Sequence, residues 1–599
     1  MKPSTTYIVL WLVASAIAMF LALQLNSAAF VDGQYIPAGN DSFYHARRII
    51  DAAIGERGFY QFDDMIHVPE GSWLNWPWAY DYLAAMALTF ALWLRPTLEP
   101  MAFLAHVPVA WLLVNMGLLS LIARKIALSI EMSAVALLGF ALLPLTQTLH
   151  GVGVIDHHFI ELTFVLATLW SGLNFFSAQC RPKDVVILGV ILGIAPAFHN
   201  GLFILQIPVL ICFLAHWLRG QMPETRKLYL LTAALFGSTL LVVLPSAAFR
   251  DMQFEFWTLS WFHLYIAGCS AVGILFFGLR EFGRLSVGML LGLGVALVVP
   301  IIAKVMIGAA FLGGDLILLN EILEVKSPFA RIREPDGLVW VTSYYSWMIV
   351  LAPVLIVVYA RQAWLESNSD KIFFSVFVVF GVALMLVQYR LNPFGAWALL
   401  LATLLIVQDA GEKNGFSKLA ITAGSLLVIA VAFQPPLKNR LFAAYPPGLS
   451  RDYAATRILF SSMAESCAKD GGTALSYNDD GHYIRYHTDC SVMTNNFLLT
   501  PQHERLILEA DALLQLDPEQ FLLAAPNVDY IFVRMYEIFE AGPNGMQATP
   551  IPSLVGRNAP LFVALTFADE LPQEYQLIDE VRVQDERDFA YARVFKINR

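Results

Sequence analysis

Long apolar runs recur along residues 1–433, each about the length a helix needs to cross a hydrocarbon layer, with Lys and Arg gathered at alternate ends. A soluble core has no room for so many, so the chain reads as a polytopic α-helical membrane protein. Composition agrees: 57% of the 599 residues are hydrophobic, 14% are charged, and the mean hydropathy is +0.60. The net charge of −10 is concentrated toward the C-terminal quarter. That distribution offers nothing to nucleic acid, and none is expected as a partner.

Charge placement orders the spans. Lys2 sets the N-terminus in the cytoplasm, and the run 7–25 reads as a retained first span rather than a cleaved signal. The apolar piece 82–94 is about thirteen residues long, too short to cross, and reads as a helix lying at the interface. That keeps Arg124 and Lys125 inside. Spans then follow at 101–123, 132–149 and 159–178, and two more within 185–217, which turns at His199-Asn200-Gly201. The rest lie at 228–244, 259–278, 286–306, 341–359, 372–388, 394–407 and 419–433. The total is about 13 transmembrane helices, an odd number, so the C-terminal part lies outside. Residues 1–433 thus form a transmembrane domain with large external loops at 26–100 and 307–340, and residues 434–599 a C-terminal extracytoplasmic mixed α/β domain. In the latter, 503–516 has helical spacing and 529–534 reads as a strand. If that domain is outside, Cys467 and Cys490 can form a disulfide; Cys180, Cys212 and Cys269 fall in or beside apolar runs and read as packing residues.

The stretch 151–162, Gly-Val-Gly-Val-Ile-Asp-His-His-Phe-Ile-Glu-Leu, sets Asp156, His157, His158 and Glu161 between two apolar runs, where charge is costly. A carboxylate and an imidazole two residues apart can reach one divalent cation on an irregular backbone, which Gly151 and Gly153 permit. The same residues also read as a polar loop at the membrane surface. By the span order, three outside loops contribute carboxylates: Asp41, then Asp156 with His158, then Glu321 or Glu324. Oxygen-rich ligation with one or two imidazoles favours Mg²⁺ or Mn²⁺. Such an ion would neutralise a diphosphate leaving group while the carboxylates hold a nucleophile. A lipid-bound diphosphate suits this arrangement, with its tail among the spans and Arg390 placed to pair with a phosphate. Singly, each has a plainer reading: Asp41 as a solvated loop residue, Glu324 paired with Lys326 or Arg331, Arg390 as a boundary residue.

Taken together, these motifs resemble the oligosaccharyltransferase catalytic subunit family, of the bacterial and archaeal single-subunit type. Asp41-Ser42-Phe43-Tyr44-His45 with Arg47 is similar to its first acidic motif, and Asp156-His157-His158 to its second. Glu321-Ile322-Leu323-Glu324 resembles its fifth-external-loop motif, and Arg390-Leu391-Asn392-Pro393-Phe394 the arginine near its eleventh span. The resemblance implies a GT-C fold and an inverting, metal-dependent glycosyltransferase using a polyprenyl-diphosphate-linked glycan donor. It assigns Asp41, Asp156 and His158 to the metal, Glu324 to the metal or the acceptor amide, and Arg390 to the donor diphosphate, with Asp41, Asp156 and Glu324 the catalytic acids.

The family's Trp-Trp-Asp-Tyr-Gly motif, which recognises the hydroxyl of an Asn-x-Ser/Thr acceptor, is degenerate here. Tyr477, Asn478 and Asp479, followed by Asp480 and Gly481, occupy its place as the acceptor-binding group, with both tryptophans missing. The same residues also read as a turn after a strand. The expected function is glycan transfer to an acceptor polypeptide, most readily at asparagine, in the inner (plasma) membrane. A lipid, surface polysaccharide or hydroxyl acceptor is the alternative. A lipid-carrier flippase is a third reading, disfavoured because the acids lie in outer loops and no internal repeat is seen.

Overall fold

The computed structural model describes residues 5–25, 29–31, 33–308, 325–334, 337–442, 450–542, 545–551, 560–567, 570–583 and 589–599. Glu321 and Glu324 lie outside the described residues. The apolar runs become helices because a backbone in hydrocarbon has to satisfy its own hydrogen bonds. Among the described residues, eight helices are long and apolar enough to cross a membrane, and shorter apolar helices begin at Ile130, Arg284 and Lys418. With His158–Phe175 and Pro182–Ile194 they correspond one for one to the runs in the sequence.

The first eight helices are α1 (Thr5–Leu25), α2 (Asn40–Ile54), α3 (Trp78–Leu94), α4 (Pro100–Lys125), α5 (Ile130–Leu142), α6 (Pro144–Leu149), α7 (His158–Phe175) and α8 (Pro182–Ile194). The run 132–149 is split between α5 and α6 because Leu143, preceding Pro144, is held extended (ψ 129°). The run read at 341–359 is shifted: Ser346 has a φ of 64°, ends the helix Gly337–Tyr345, and caps the next segment through its hydroxyl at Met348 N. The crossing helix there is Trp347–Leu365. Helix α3 is longer than expected, and it exposes Leu83, Met86, Phe90 and Trp93 while burying Asp81.

The bundle closes where Ser369–Val387 meets Asn392–Lys413. A Cβ on Gly381 would stand 2.1 Å from the Phe394 carbonyl, and one on Gly395 2.5 Å from the Gly381 carbonyl. Only glycine lets these two backbones touch.

The C-terminal part carries a five-stranded mixed sheet in the order Tyr575–Val583, Phe589–Ile597, Tyr530–Arg534, Thr473–Leu475, Ser491–Val492. The first three strands pair antiparallel; Thr473–Leu475 pairs parallel with both its neighbours. One face packs on Leu459, Phe460 and Met463, the other on Leu561, Phe562 and Leu565. The helix Pro501–Leu514 and the strand Tyr530–Arg534 match the helical and strand readings of that region. The segment between α2 and α3 joins this domain by its backbone: Met65 O accepts from Val492 N and Val68 N donates to Val492 O.

Cys467 and Cys490 are disulfide-bonded, tying the helix Ser450–Asp470 to the edge strand. Replacing both by Ala is expected to lower stability by about 3 kcal/mol through the freed unfolded chain. Thermal unfolding of the purified protein, with and without reductant, checks it: reductant should destabilise the wild type and leave the double variant unchanged.

Candidate active site

Helix α2 organises the site. Gly39 (φ 91°) turns the chain into it and Gly55 (φ 80°) ends it in the left-handed conformation. Its first turn touches two separate parts of the molecule. Asn40 Nδ2 donates to the Asp479 carbonyl (2.7 Å), and Ser42 Oγ accepts from Ile155 N (3.1 Å). Asp41, between them, is 40% exposed, and its Oδ1 lies 3.8 Å from Nε2 of the buried His482. The segment 477–481 and the Asp-His-His loop therefore meet across three consecutive residues.

The loop 151–157 is held tightly on the other side as well. Gly153 has a φ of 80°, and a Cβ there would stand 2.7 Å from the Ile36 carbonyl and 2.9 Å from Ala29 Cβ. Its N–H donates to Ala105 O and its carbonyl accepts from Ala38 N. The Tyr80 hydroxyl donates to the Ile155 carbonyl at 2.6 Å. The loop thus projects Asp156 and His157 onto His45 of α2 rather than into water.

Asp156 Oδ1 lies 2.9 Å from His157 Nδ1 and 3.6 Å from His45 Nε2, and the two nitrogens are 3.2 Å apart. An ion bound at about 2.0–2.2 Å to each ligand needs ligand atoms about 3.0–3.6 Å from one another, so these three fit a divalent cation. His45 is oriented for it: Nδ1 sits 2.7 Å from Asp81 Oδ1, its ring stacks on Trp76 at 3.9 Å, and Nε2 is left facing Asp156. His158 is set the same way, Nδ1 being 2.7 Å from Glu161 Oε2 and Nε2 3.3 Å from Asp156 Oδ2. His199 stacks on His157 at 4.8 Å and lies 3.6 Å from Glu161. Burial opposes the Asp156 charge, but His158, His157 and His45 outweigh it and hold the carboxyl well below its usual range.

Behind this cluster lies a fully buried ion pair. Arg48 Nη1 meets Asp81 Oδ2 at 2.8 Å, its remaining nitrogens donate to the Tyr60 carbonyl, and its guanidinium lies 4.3 Å from the centre of the Phe59 ring.

Of the residues read from the sequence, Asp156 and His158 are in the cluster and Asp41 borders it. Arg390 sits on the short turn Tyr389–Leu391, close enough for its charge to act on both His158 and His199. Tyr477 is buried in the C-terminal core against Phe562, and Asn478 donates to Asn496 (3.3 Å). The fully buried carboxylate of that segment is Asp480, paired with Arg534 at 2.7 Å, while Asp479 is half-buried and meets Asn40 through its backbone. His45, Arg48, Asp81 and the ligating geometry of His157 escaped the sequence reading. One signal was available: His45 follows Asp41 by four residues, one helical turn.

No protein-family model and no curated protein matches the chain. Solved structures do. The archaeal oligosaccharyltransferase AglB from Archaeoglobus fulgidus, in complex with an inhibitory peptide and a dolichol-phosphate, superposes with a TM-score of 0.74 at 15% identity, over 97% of this chain and 80% of that one. The oligosaccharyltransferase of the same organism, tethered to an acceptor peptide containing the NVT sequon, gives 0.75 at 15% identity, over 99% and 88%. Its complex with Zn and sulfate gives 0.67 at 16%, over 95% and 79%. The chain has the GT-C fold of these enzymes.

Removing Arg48 while leaving Asp81 isolates a buried carboxylate. Arg48→Met is expected to cost about 3–5 kcal/mol of stability, and the double variant Arg48→Met/Asp81→Leu less than the single one. Thermal unfolding in detergent reads both.

Proposed function

We propose that this protein is a metal-dependent, inverting membrane glycosyltransferase of the oligosaccharyltransferase type, moving a glycan from a polyprenyl-diphosphate carrier to asparagine of a polypeptide outside the cytoplasm. The observation that carries this reading is the first turn of α2, which joins the acidic cation-ligand cluster to the segment aligned with the acceptor motif. The bound molecules of the AglB structures, a dolichol-phosphate and an acceptor peptide, support a lipid-linked donor and a polypeptide acceptor.

Asp156, with His45 and His157, would hold the cation; His158, 3.3 Å from Asp156, and Asp41 are further candidates, and Glu324 is one by the resemblance alone. Two imidazoles in the set favour Mn²⁺ over Mg²⁺. When bound, such an ion supplies positive charge to the diphosphate as its bond to the sugar breaks. Arg390 adds a second positive charge from the bundle side, where the lipid tail lies. Asp41 is open enough to accept hydrogen bonds from an acceptor amide and aim its nitrogen at the sugar carbon, on the side opposite the departing phosphate. Inversion follows from that opposed approach. By the charge rule, the N-terminus is cytoplasmic and this site faces away from the cytoplasm of a plasma membrane.

A second reading keeps the donor and changes the acceptor. Tyr477 points into the C-terminal core, and neither it nor Asn478 replaces the aromatic frame that the missing tryptophans would provide. A hydroxyl or glycan acceptor is then recognised by the same Asp41.

Asp156→Ala in the purified full-length protein, given lipid-linked donor and a sequon peptide, is expected to lower transfer at least about 100-fold; transfer at the wild-type rate would remove Asp156 from the site. EDTA is expected to stop transfer and Mn²⁺ to restore it, measured by product formation; activity indifferent to chelation would end the cation assignment. A wild type that glycosylates a hydroxyl acceptor and ignores the sequon peptide selects the second reading.

A further inference from the structure

We propose that Asn115, in the middle of α4, is a positioning residue that clamps both ends of the cation-ligand loop. The inference rests on the cluster assigned above, but its geometry stands without a cation. Asn115 is completely buried, and its Nδ2 lies 2.9 Å from His150 Nε2 and 3.1 Å from the Phe159 carbonyl. Those two residues bracket the segment that presents Asp156, His157 and His158. Its Oδ1 accepts from the Thr163 hydroxyl at 2.7 Å, and that hydroxyl oxygen accepts from Trp111 Nε1 at 2.8 Å. On the far side, His150 Nδ1 lies 2.8 Å from the Thr146 carbonyl.

The hydrogen placement is determined. A carbonyl only accepts, so the Phe159 oxygen fixes the amide with its nitrogen on that side, and the same nitrogen makes His150 Nε2 an acceptor. His150 is therefore neutral, with its one ring proton on Nδ1 and donated to Thr146. Burial works in the same direction, pushing His150 down to about 4. The bonds run in one direction, from Trp111 through Thr163 to Asn115, and from there to His150 and Phe159. Every Asn115 donor and its carbonyl have a partner, and such a network specifies one arrangement of its members.

What the clamp adds is distinct from the contacts already holding the loop. Ser42 and Tyr80 grip its middle at Ile155, and Ala105 and Ala38 hold Gly153; none of these links the two ends of the loop to each other. Without Asn115, the Phe159 carbonyl keeps only Thr163 of its own helix, whose hydroxyl lies 3.1 Å away, and the His150 ring keeps only Thr146, so the link between the two ends of the loop is lost. A cluster whose ligand atoms sit 2.9–3.6 Å apart tolerates little such movement.

Full-length protein in detergent provides the test. Asn115→Leu keeps the volume and removes the hydrogen bonds. It is expected to speed amide hydrogen exchange at residues 151–157 at least about 10-fold, with the rest of α4 and α7 protected as in wild type. It is also expected to weaken Mn²⁺ binding, followed by calorimetry, about 10–100-fold and to lower kcat with little change in the acceptor KM. Thr163→Val, which removes the support of the Asn115 carbonyl, is expected to do the same more weakly and serves if Asn115→Leu does not fold. Thr163→Ser, which keeps the hydroxyl, is expected to restore wild-type exchange. Wild-type exchange and Mn²⁺ affinity in Asn115→Leu, or protection lost evenly along α4 and α7, would overturn the proposal. A loop loosened by Asn115→Leu in a protein whose wild type binds no Mn²⁺ would instead retire the cation reading and leave the clamp standing.

Discussion

A carboxylate with no access to water has to be neutralised by its neighbours, and Asp81 is the one on which this structure rests. It is fully buried at the start of α3, where Arg48 and His45 of α2 compensate it. Removing water strengthens that attraction and makes its loss expensive, so α2 has one position against α3. Arg48 is itself saturated, by Asp81, the Tyr60 carbonyl and the Phe59 ring, which leaves His45 Nδ1 as the second partner of Asp81. The ion pair thereby decides which nitrogen of His45 faces Asp156.

From this point the frame extends in two directions. Toward the bundle, α2 meets the Asp156 loop through Ser42, and the loop is shaped by Gly153 and Tyr80. Toward the C-terminal domain, Phe43 packs edge-on against Tyr483 at 4.6 Å, Arg47 bridges Asp51 and Asp489, and the loop at Met65 and Val68 adds backbone hydrogen bonds to Val492. The domain is therefore not a tethered appendage. It is bonded to the same helix that carries Asp41, so the bundle and the domain share a rigid reference.

Much of this was legible in the residue order. Hydropathy located the crossing helices because a membrane forces each run to be a helix, and departures arose where backbone chemistry intervened: Pro144 split one run and Ser346 shifted another. Asp156 and His158 were legible because charge between apolar runs demands an explanation. His45 appeared only as the last residue of a motif resemblance, with no role, and Arg48 was given none either, since their partner Asp81 stands 36 and 33 positions away. In the segment 477–481, the resemblance pointed to Asp479; the structure leaves Asp479 half-buried and buries its neighbour Asp480 against Arg534, a difference of facing that is invisible without the turn that carries it. Asn115 carried no signal, because a single amide in an apolar span has no sequence pattern that names its partners.

Alone, then, the sequence determined that the chain carries many membrane-crossing helices, that acids gather in the loops between them, and that its motifs resemble those of a glycan transferase. Those properties are local or additive: length, hydropathy and charge are summed residue by residue. The tertiary structure decided which imidazoles face Asp156, which carboxylate orients them, and that the first turn of α2 joins the Asp156 loop to the segment 477–481. These depend on distances of about 3 Å between residues far apart in the chain, and such distances are set only once the helices have packed.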